Sequence, residues 1–399
     1  MSQRLAVVLL LTILLVCGLL ASLPFMREAT VRGAAKASSG GAASDRASAT
    51  ASAGWNKQGA ARYLDDREVW WQGWPRAQKD HGTVCVSCHT VVPYAMVRPE
   101  LQRDLGDSAM SAPEQTMLAS VEKRVAGWSE MVPFYSDEKS GPGKTAESHA
   151  TEAVLNAVVL ASYDATSHAA QGEVRPITRK AFANAWALQQ TTGPLAGAWK
   201  WQDFKLGPWE SSESGYQGAA LLMFEAVNLP GGFAREPGTR AHLDQLRDYL
   251  RRNYAAQPLI NQVYVLWASA RSHAGKEPEL LTHAEREAVM AALRAQQQAD
   301  GGFRTASLDA RDRIDHSAQP VTSDGYATGL VALALEAQGT RRRDAMLSRA
   351  LAWLAQHQQT DGAWSAASLN KQRDPASDPA LFMTDAATGY AALALERQR

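Results

Sequence analysis

The 399-residue chain reads as an all-α protein, an α/α toroid of helical hairpin repeats preceded by a membrane anchor and a short N-terminal segment. Three observations lead to that class. Gln297-Gln298-Ala299-Asp300-Gly301-Gly302-Phe303 recurs 61 residues later as Gln358-Gln359-Thr360-Asp361-Gly362-Ala363-Trp364, and the likeness runs on through Ser323-Asp324-Gly325 against Thr384-Asp385-Ala386. Each copy consists of an apolar-periodic helix, a turn on Asp-Gly, and a second helix rich in Ala and Leu, such as residues 387–395. The small residues of the second helices permit close approach around an inner circle, as stacked helix pairs require. A more degenerate copy runs from Trp186 and Gln189 through Trp199 to Tyr216.

Taken in chain order, the first element is the uncharged run Leu5 to Phe25 after Arg4, long enough to span a bilayer. It reads as an uncleaved signal anchor within residues 1–28, holding the rest of the chain at the inner membrane on the periplasmic side. Arg27, Arg32 and Lys36 outnumber Arg4 and favour the opposite orientation by the positive-inside rule, but the charge difference is small. Residues 29–54 are Ala, Ser, Gly and Thr with hardly any large apolar side chain, a disordered linker. Residues 55–111 form a separate segment around a cysteine motif, and 112–399 the toroid. Hairpin pairs are expected to begin near Pro113 and Ser148, Thr178 and Ser214, Arg240 and Pro258, His283 and Ser323, and Asp344 and Thr384, with a supporting helix near Gln58 to Trp70. Lys plus Arg and Asp plus Glu each number 41, and no basic patch interleaves with aromatics, so nucleic acid is not an expected partner.

The motif is Cys85-Val86-Ser87-Cys88-His89, the spacing of c-type haem attachment. Cys85 and Cys88 would form thioethers to one covalent haem c, and His89 would give iron its proximal nitrogen. The chain has three cysteines and the third, Cys17, lies in the anchor, so the pair is not drawn from a cysteine-rich background. A Cys85–Cys88 disulfide or redox dithiol is the alternative. Met131, in Met131-Val132-Pro133, is the expected distal ligand, beside an open sixth position, with Met96, Met110, Met117 and His81 also available. Trp70, Trp71 and Trp74 are placed to cover the porphyrin or to dock this segment on the ring.

Arg349-Ala350, Trp353-Leu354, Gln358, Gly362 and Trp364 fit the glutamine-tryptophan repeat, so residues from about Thr178 onward resemble the squalene-hopene and oxidosqualene cyclases of the terpenoid cyclase superfamily. The resemblance implies a toroid in which Gln297, Phe303, Gln358 and Trp364 tie neighbouring hairpins together, and an apolar or isoprenoid ligand. It also departs from the family. Bacterial cyclases protonate a polyene with an acidic run of the type Asp-x-Asp-Asp, whereas Phe382-Met383-Thr384-Asp385-Ala386-Ala387-Thr388 offers one aspartate.

Other candidates are acids near the starts of second helices: Glu147, Glu152, Glu213, Asp324 and Asp385. Asp324 and Asp385 are the catalytic candidates should the ring be an enzyme. Ser148, Ser323 and Thr384 read as N-caps, which makes first-turn acids routine. Glu152 and Asn156, four apart on an apolar helix, either bond within the core or face a ligand. Trp199, Trp201, Phe204, Trp209 and Tyr216 could roof a cavity. Three functions remain open at this stage: an exported monohaem protein exchanging electrons with a redox partner protein, a terpenoid cyclase-like enzyme, and a non-catalytic scaffold.

Overall fold

The computed structural model describes residues 54–166, 172–270, 277–341 and 343–397, so the expected anchor and nearly all of the linker lie outside the described residues. Among those residues no helix is long and apolar enough to cross a membrane. Residues 51–399 form one compact unit.

Twelve helices of ten or more residues carry the described fold: α1 (Lys57–Gly73), α2 (Val91–Leu105), α3 (Ala112–Ala126), α4 (Lys144–Thr166), α5 (Pro176–Leu188), α6 (Ser214–Asn228), α7 (Pro237–Asn253), α8 (Leu259–Ala268), α9 (His283–Gln296), α10 (Gly325–Ala337), α11 (Ala345–Gln356) and α12 (Asp378–Glu396). Even-numbered helices pack in sequence, α2 on α4, α6, α8, α10 and α12 in turn, and α12 packs back on α2. They close a ring. Odd-numbered helices lie outside it, and α5, α7, α9 and α11 pack on α4, α6, α8 and α10, the inner helix of the preceding hairpin in each case.

Burial follows the pattern of side chains. Inner helix α10 is buried at every residue from Gly325 to Leu335, as expected for a helix apolar all round. Outer α7 buries one stripe, Thr239, Leu243, Leu246, Tyr249 and Leu250, and leaves Arg240, Arg251 and Arg252 to solvent.

Two expectations need correction. Five hairpins with a supporting helix become six, because α1 pairs with α2 and the cysteine motif lies in the loop between them. Pro93 sits in the first turn of α2, where proline lacks no helical hydrogen bond. The N-caps also shift. Ser148 lies inside α4 and Thr384 inside α12, while Asp324 rather than Ser323 caps α10, accepting from the Ala327 amide.

The glutamines do tie the hairpins. Gln358 Nε2 donates to the Gly362 and Asn56 carbonyls, both at 2.9 Å, and Gln358 Oε1 accepts from the Asn56 amide, joining α11 to the start of α1 and so the last hairpin to the first. Gln297 reaches Gly301 and Met346 in the same way, and Gln189 reaches Gly197 and His242. Each turn glycine has positive φ, 94° at Gly197, 97° at Gly301 and 98° at Gly362, and sits against the backbone of the next outer helix. A side chain fits at none of them. Trp364 is fully buried and its Nε1 donates to the Leu354 carbonyl at 2.8 Å, so both its ring and its polar atom are satisfied.

Candidate functional site

At one end of the ring the loops entering the inner helices enclose a cavity with about 1050 Å³ of empty space, its mouth included. Its apolar wall is mostly aromatic, with Trp71, Trp74, Phe134, Tyr135, Trp209 and Phe382, and Cys85, Cys88 and His89 all line it. An apolar pocket of this size with a few convergent polar groups is the usual form of a cofactor site.

Local structure fixes the motif. Residues 78–79 and 83–84 pair as a two-stranded ribbon turned by His81 and Gly82, both at positive φ, which brings the Cys85 amide to the Ala77 carbonyl at 2.8 Å. Trp71 Nε1 donates to the Cys85 carbonyl at 2.8 Å, and Ser87 Oγ accepts from the Thr90 and Val91 amides at the entry to α2. Behind the ribbon the fully buried Arg124 pairs with Glu152 and reaches Asp80 and Thr83 at 2.9 and 2.8 Å. Glu152 is thus committed to holding the ribbon rather than to a ligand.

The imidazole is oriented by a chain of hydrogen bonds. His89 Nδ1 lies 2.9 Å from Thr90 Oγ1, which lies 2.8 Å from Asp385 Oδ2. Asp385 also accepts from Arg67 Nε and Nη2 at 2.7 and 3.1 Å and from the Tyr63 hydroxyl at 3.0 Å. Burial raises the Asp385 carboxyl above its ordinary range and the Arg67 guanidinium opposes that rise. With a guanidinium and two hydroxyls aimed at it, the carboxylate is the acceptor, so Thr90 spends its one proton there. Thr90 Oγ1 can then only accept from the imidazole, which assigns the proton to Nδ1 and leaves the Nε2 lone pair free. Burial, with Arg67 adding to it, pushes the His89 pKa down to about 3, so the ring is neutral at ordinary pH. Phe382 stacks on it with centroids 4.0 Å apart, and Trp71 meets it edge-on at 5.1 Å.

The thiols are free, and burial pushes Cys85 up to about 12 and Cys88 further above the usual thiol range.

The other sequence candidates fall apart in space. Asp324 accepts from the Thr305 amide and hydroxyl at 2.6 and 2.7 Å in addition to its cap, and lies outside the cavity lining. Met131 rests its Cε on Gly127 and is not among the lining residues, nor are Met96, Met110 and Met117; the methionine that lines the cavity is Met383. Trp199 and Tyr216 spend their polar atoms on the Ala185 and Leu250 carbonyls, leaving Trp209 as the member of that cluster on the wall. Sequence reasoning missed Thr90, Gln202, Glu210 and Phe382. For Thr90 a signal existed, a hydroxyl directly after the histidine.

No match is found among curated proteins. A solved structure of a glycosidase variant is similar at 13% identity over 86% of this chain and 99% of that chain, with a TM-score of 0.45. Residues 322–398, which contain α10, α11 and α12, match the squalene-hopene cyclase C-terminal domain.

Proposed function

We propose that this chain is an exported, membrane-tethered monohaem c-type protein that exchanges electrons with a redox partner protein, its helical ring forming the cofactor cavity and a docking platform. The observation that carries the reading is that Cys85, Cys88 and His89 line one aromatic cavity while His89 Nδ1 is already bonded to Thr90. The residues fit the group. Two thiols face the space a porphyrin would take, a neutral imidazole offers Nε2, and flat apolar side chains form the walls. Arg373, also in the lining, suits a carboxylate of a haem. When bound, haem c supplies one-electron redox chemistry at iron. The chain's own residues do the rest: Asp385 and Thr90 hold the imidazole, Trp71 and Phe382 fix its plane, and the closed ring keeps bulk water from its inner side.

Expression in a periplasm with haem maturation, followed by pyridine haemochrome spectroscopy and intact mass, tests this. Covalent haem in the wild type, absent from the Cys85→Ser, Cys88→Ser double variant while helicity persists, is expected. A colourless mature protein with the mass of the bare polypeptide overturns it.

The match at residues 322–398 favours a second reading, an isoprenoid-type molecule in the same cavity. Asp385 makes a poor proton donor for cyclisation, because its oxygens are engaged by Arg67, Thr90 and Tyr63. Turnover of a polyprenyl substrate that survives loss of both thiols would support the second reading against the first.

A further inference from the structure

Several elements contribute to the cavity lining. Trp71, Trp209 and Phe382 touch the His89 ring, whereas the lining contributed by the loop into α4, by α4 itself and by the loop into α6 includes Tyr135, Leu155, Gln202 and Glu210. Among the described residues, the lining between Phe134 and Glu210 carries no methionine, histidine or lysine. Tyr135 is held in its weakly ligating phenol form by burial.

Two polar side chains stand there instead. Gln202 is 4% exposed and neither its Oε1 nor its Nε2 has a hydrogen-bond partner. Leaving both atoms of a buried amide without partners is destabilising, so the site calls for a polar ligand. Its backbone is fixed by the Thr151 hydroxyl at 2.9 Å, which keeps the side chain on the wall. Glu210 sits on a tight loop, its amide and carbonyl both paired with Leu206 at 2.8 Å. Burial pushes its carboxyl up to about 7, with Lys144 opposing the rise. A group of that acidity can both take and return a proton near neutral pH.

We propose that the cavity wall carrying Gln202 and Glu210 is a small-ligand site for a hydroperoxide, with Gln202 orienting the bound oxygens and Glu210 carrying the proton between them. The inference rests on the haem reading above and extends it from electron exchange to a reaction. The overall step is ROOH + 2 e⁻ + 2 H⁺ → ROH + H₂O. The O–O bond breaks, Glu210 carries the hydroperoxide's own proton to the departing RO oxygen, which leaves as ROH, and the two protons of the equation come from solvent and complete the water formed from the other oxygen. The two electrons come from two molecules of a reduced one-electron donor protein, passed through the haem.

The test uses the mature holoprotein. Carbon monoxide added to the ferrous form should give an adduct with a shifted Soret band, and hydrogen peroxide should be consumed with a reduced small cytochrome as donor. Glu210→Gln, which keeps shape and removes the carboxyl, should retain full haem content and lose peroxide turnover by about 100-fold or more. Gln202→Leu should shift the C–O stretching frequency of the adduct. A haem-loaded wild type that forms no adduct, or unchanged turnover in Glu210→Gln, overturns this proposal and leaves electron exchange standing. Absence of haem overturns both.

Discussion

Asp385 Oδ2 accepts the hydroxyl of Thr90 at 2.8 Å, joining residues 295 apart in the chain, and through that bond a buried carboxylate reaches the imidazole of His89. The repeat comparison aligns Asp385 with Asp324, yet the two do different work. Asp324 caps its own helix, whereas Asp385 lies inside α12 and ties it to α1 and α2. One aspartate of the repeat was thus drawn into supporting a site made by the hairpin that closes the ring.

In the haem-bound form proposed above, replacing Thr90 by Val should raise the midpoint potential. An imidazole whose Nδ1–H loses its acceptor is a weaker donor at Nε2 and stabilises ferric iron less. A tenfold change in relative stability corresponds to 59 mV for one electron, and a shift of about that size is expected in a potentiometric titration. Asp385→Asn should shift the potential in the same direction but also lower thermal stability, because it leaves Arg67 buried and unpaired at about 3–5 kcal/mol. If Thr90→Val leaves the potential unmoved, the relay does not set the proximal nitrogen.

Gly362→Ala should be among the most damaging single-methyl substitutions in the ring. A Cβ there would stand 2.2 Å from the backbone of Gly59, and φ is +98°. Left-handed strain of about 1–2 kcal/mol adds to displacement of α1. Gly339→Ala supplies the comparison, since φ is +71° with nothing within 4 Å, so only the conformational part applies. Melting temperatures of the two variants should differ by several degrees, Gly362→Ala being the lower; equal melting would mean that α1 moves freely.

The ring was legible because its repeat is local: glutamine, Asp-Gly and aromatic recur at the same spacing after Gln297 and Gln358, and hydrogen bonds from Gln189, Gln297 and Gln358 carry the same tie each time. The sixth hairpin was hidden by Pro93 and Pro99, which argue against the helix they occupy, and by the ribbon inserted before it. Cys85, Cys88 and His89 were found from spacing. Their partners were not, since Arg67, Tyr63 and Asp385 meet only when the first hairpin docks on the last, and Gln202 and Glu210 arrive on a loop from a third. Pairing across such distances leaves no periodic trace in one sequence.

Arg124→Leu should cripple loading of the cavity as well as stability. The guanidinium is fully buried between Glu152, Asp80, Thr83 and the Val132 carbonyl, so its loss strands the Glu152 charge and frees the ribbon that presents Cys85. Breaking one side of a buried pair is destabilising by about 3–5 kcal/mol. The double replacement Arg124→Leu with Glu152→Leu should recover much of the stability in chemical denaturation, because no charge is left buried, but not the ribbon contacts. Haem content per polypeptide should therefore stay low in the double variant; full recovery would show that the ribbon does not depend on Arg124.

Glu68 should make the fold less stable as pH rises. It is 1% exposed on α1, its Oε1 accepts from Gln72 Nε2 at 3.0 Å, and its Oε2 has no hydrogen-bond partner. Burial, opposed by Gln72, raises its pKa from 4.5 to about 8. An acid with a raised folded pKa binds more protons folded than unfolded, so its contribution to stability is complete below about 4.5 and is lost as pH climbs toward about 8. The limiting slope is about 1.4 kcal/mol per pH unit. Glu210 and Glu225, both raised to about 7 by burial, steepen the wild-type decline in the same window. Glu68→Gln removes one such group while keeping its shape, so denaturation at pH 5 should find the variant close to wild type and at pH 8 more stable by a few kcal/mol, about 1.4 for each unit crossed. Parallel stability curves for the two proteins between those pH values would mean that Glu68 is ionised and paired in the fold.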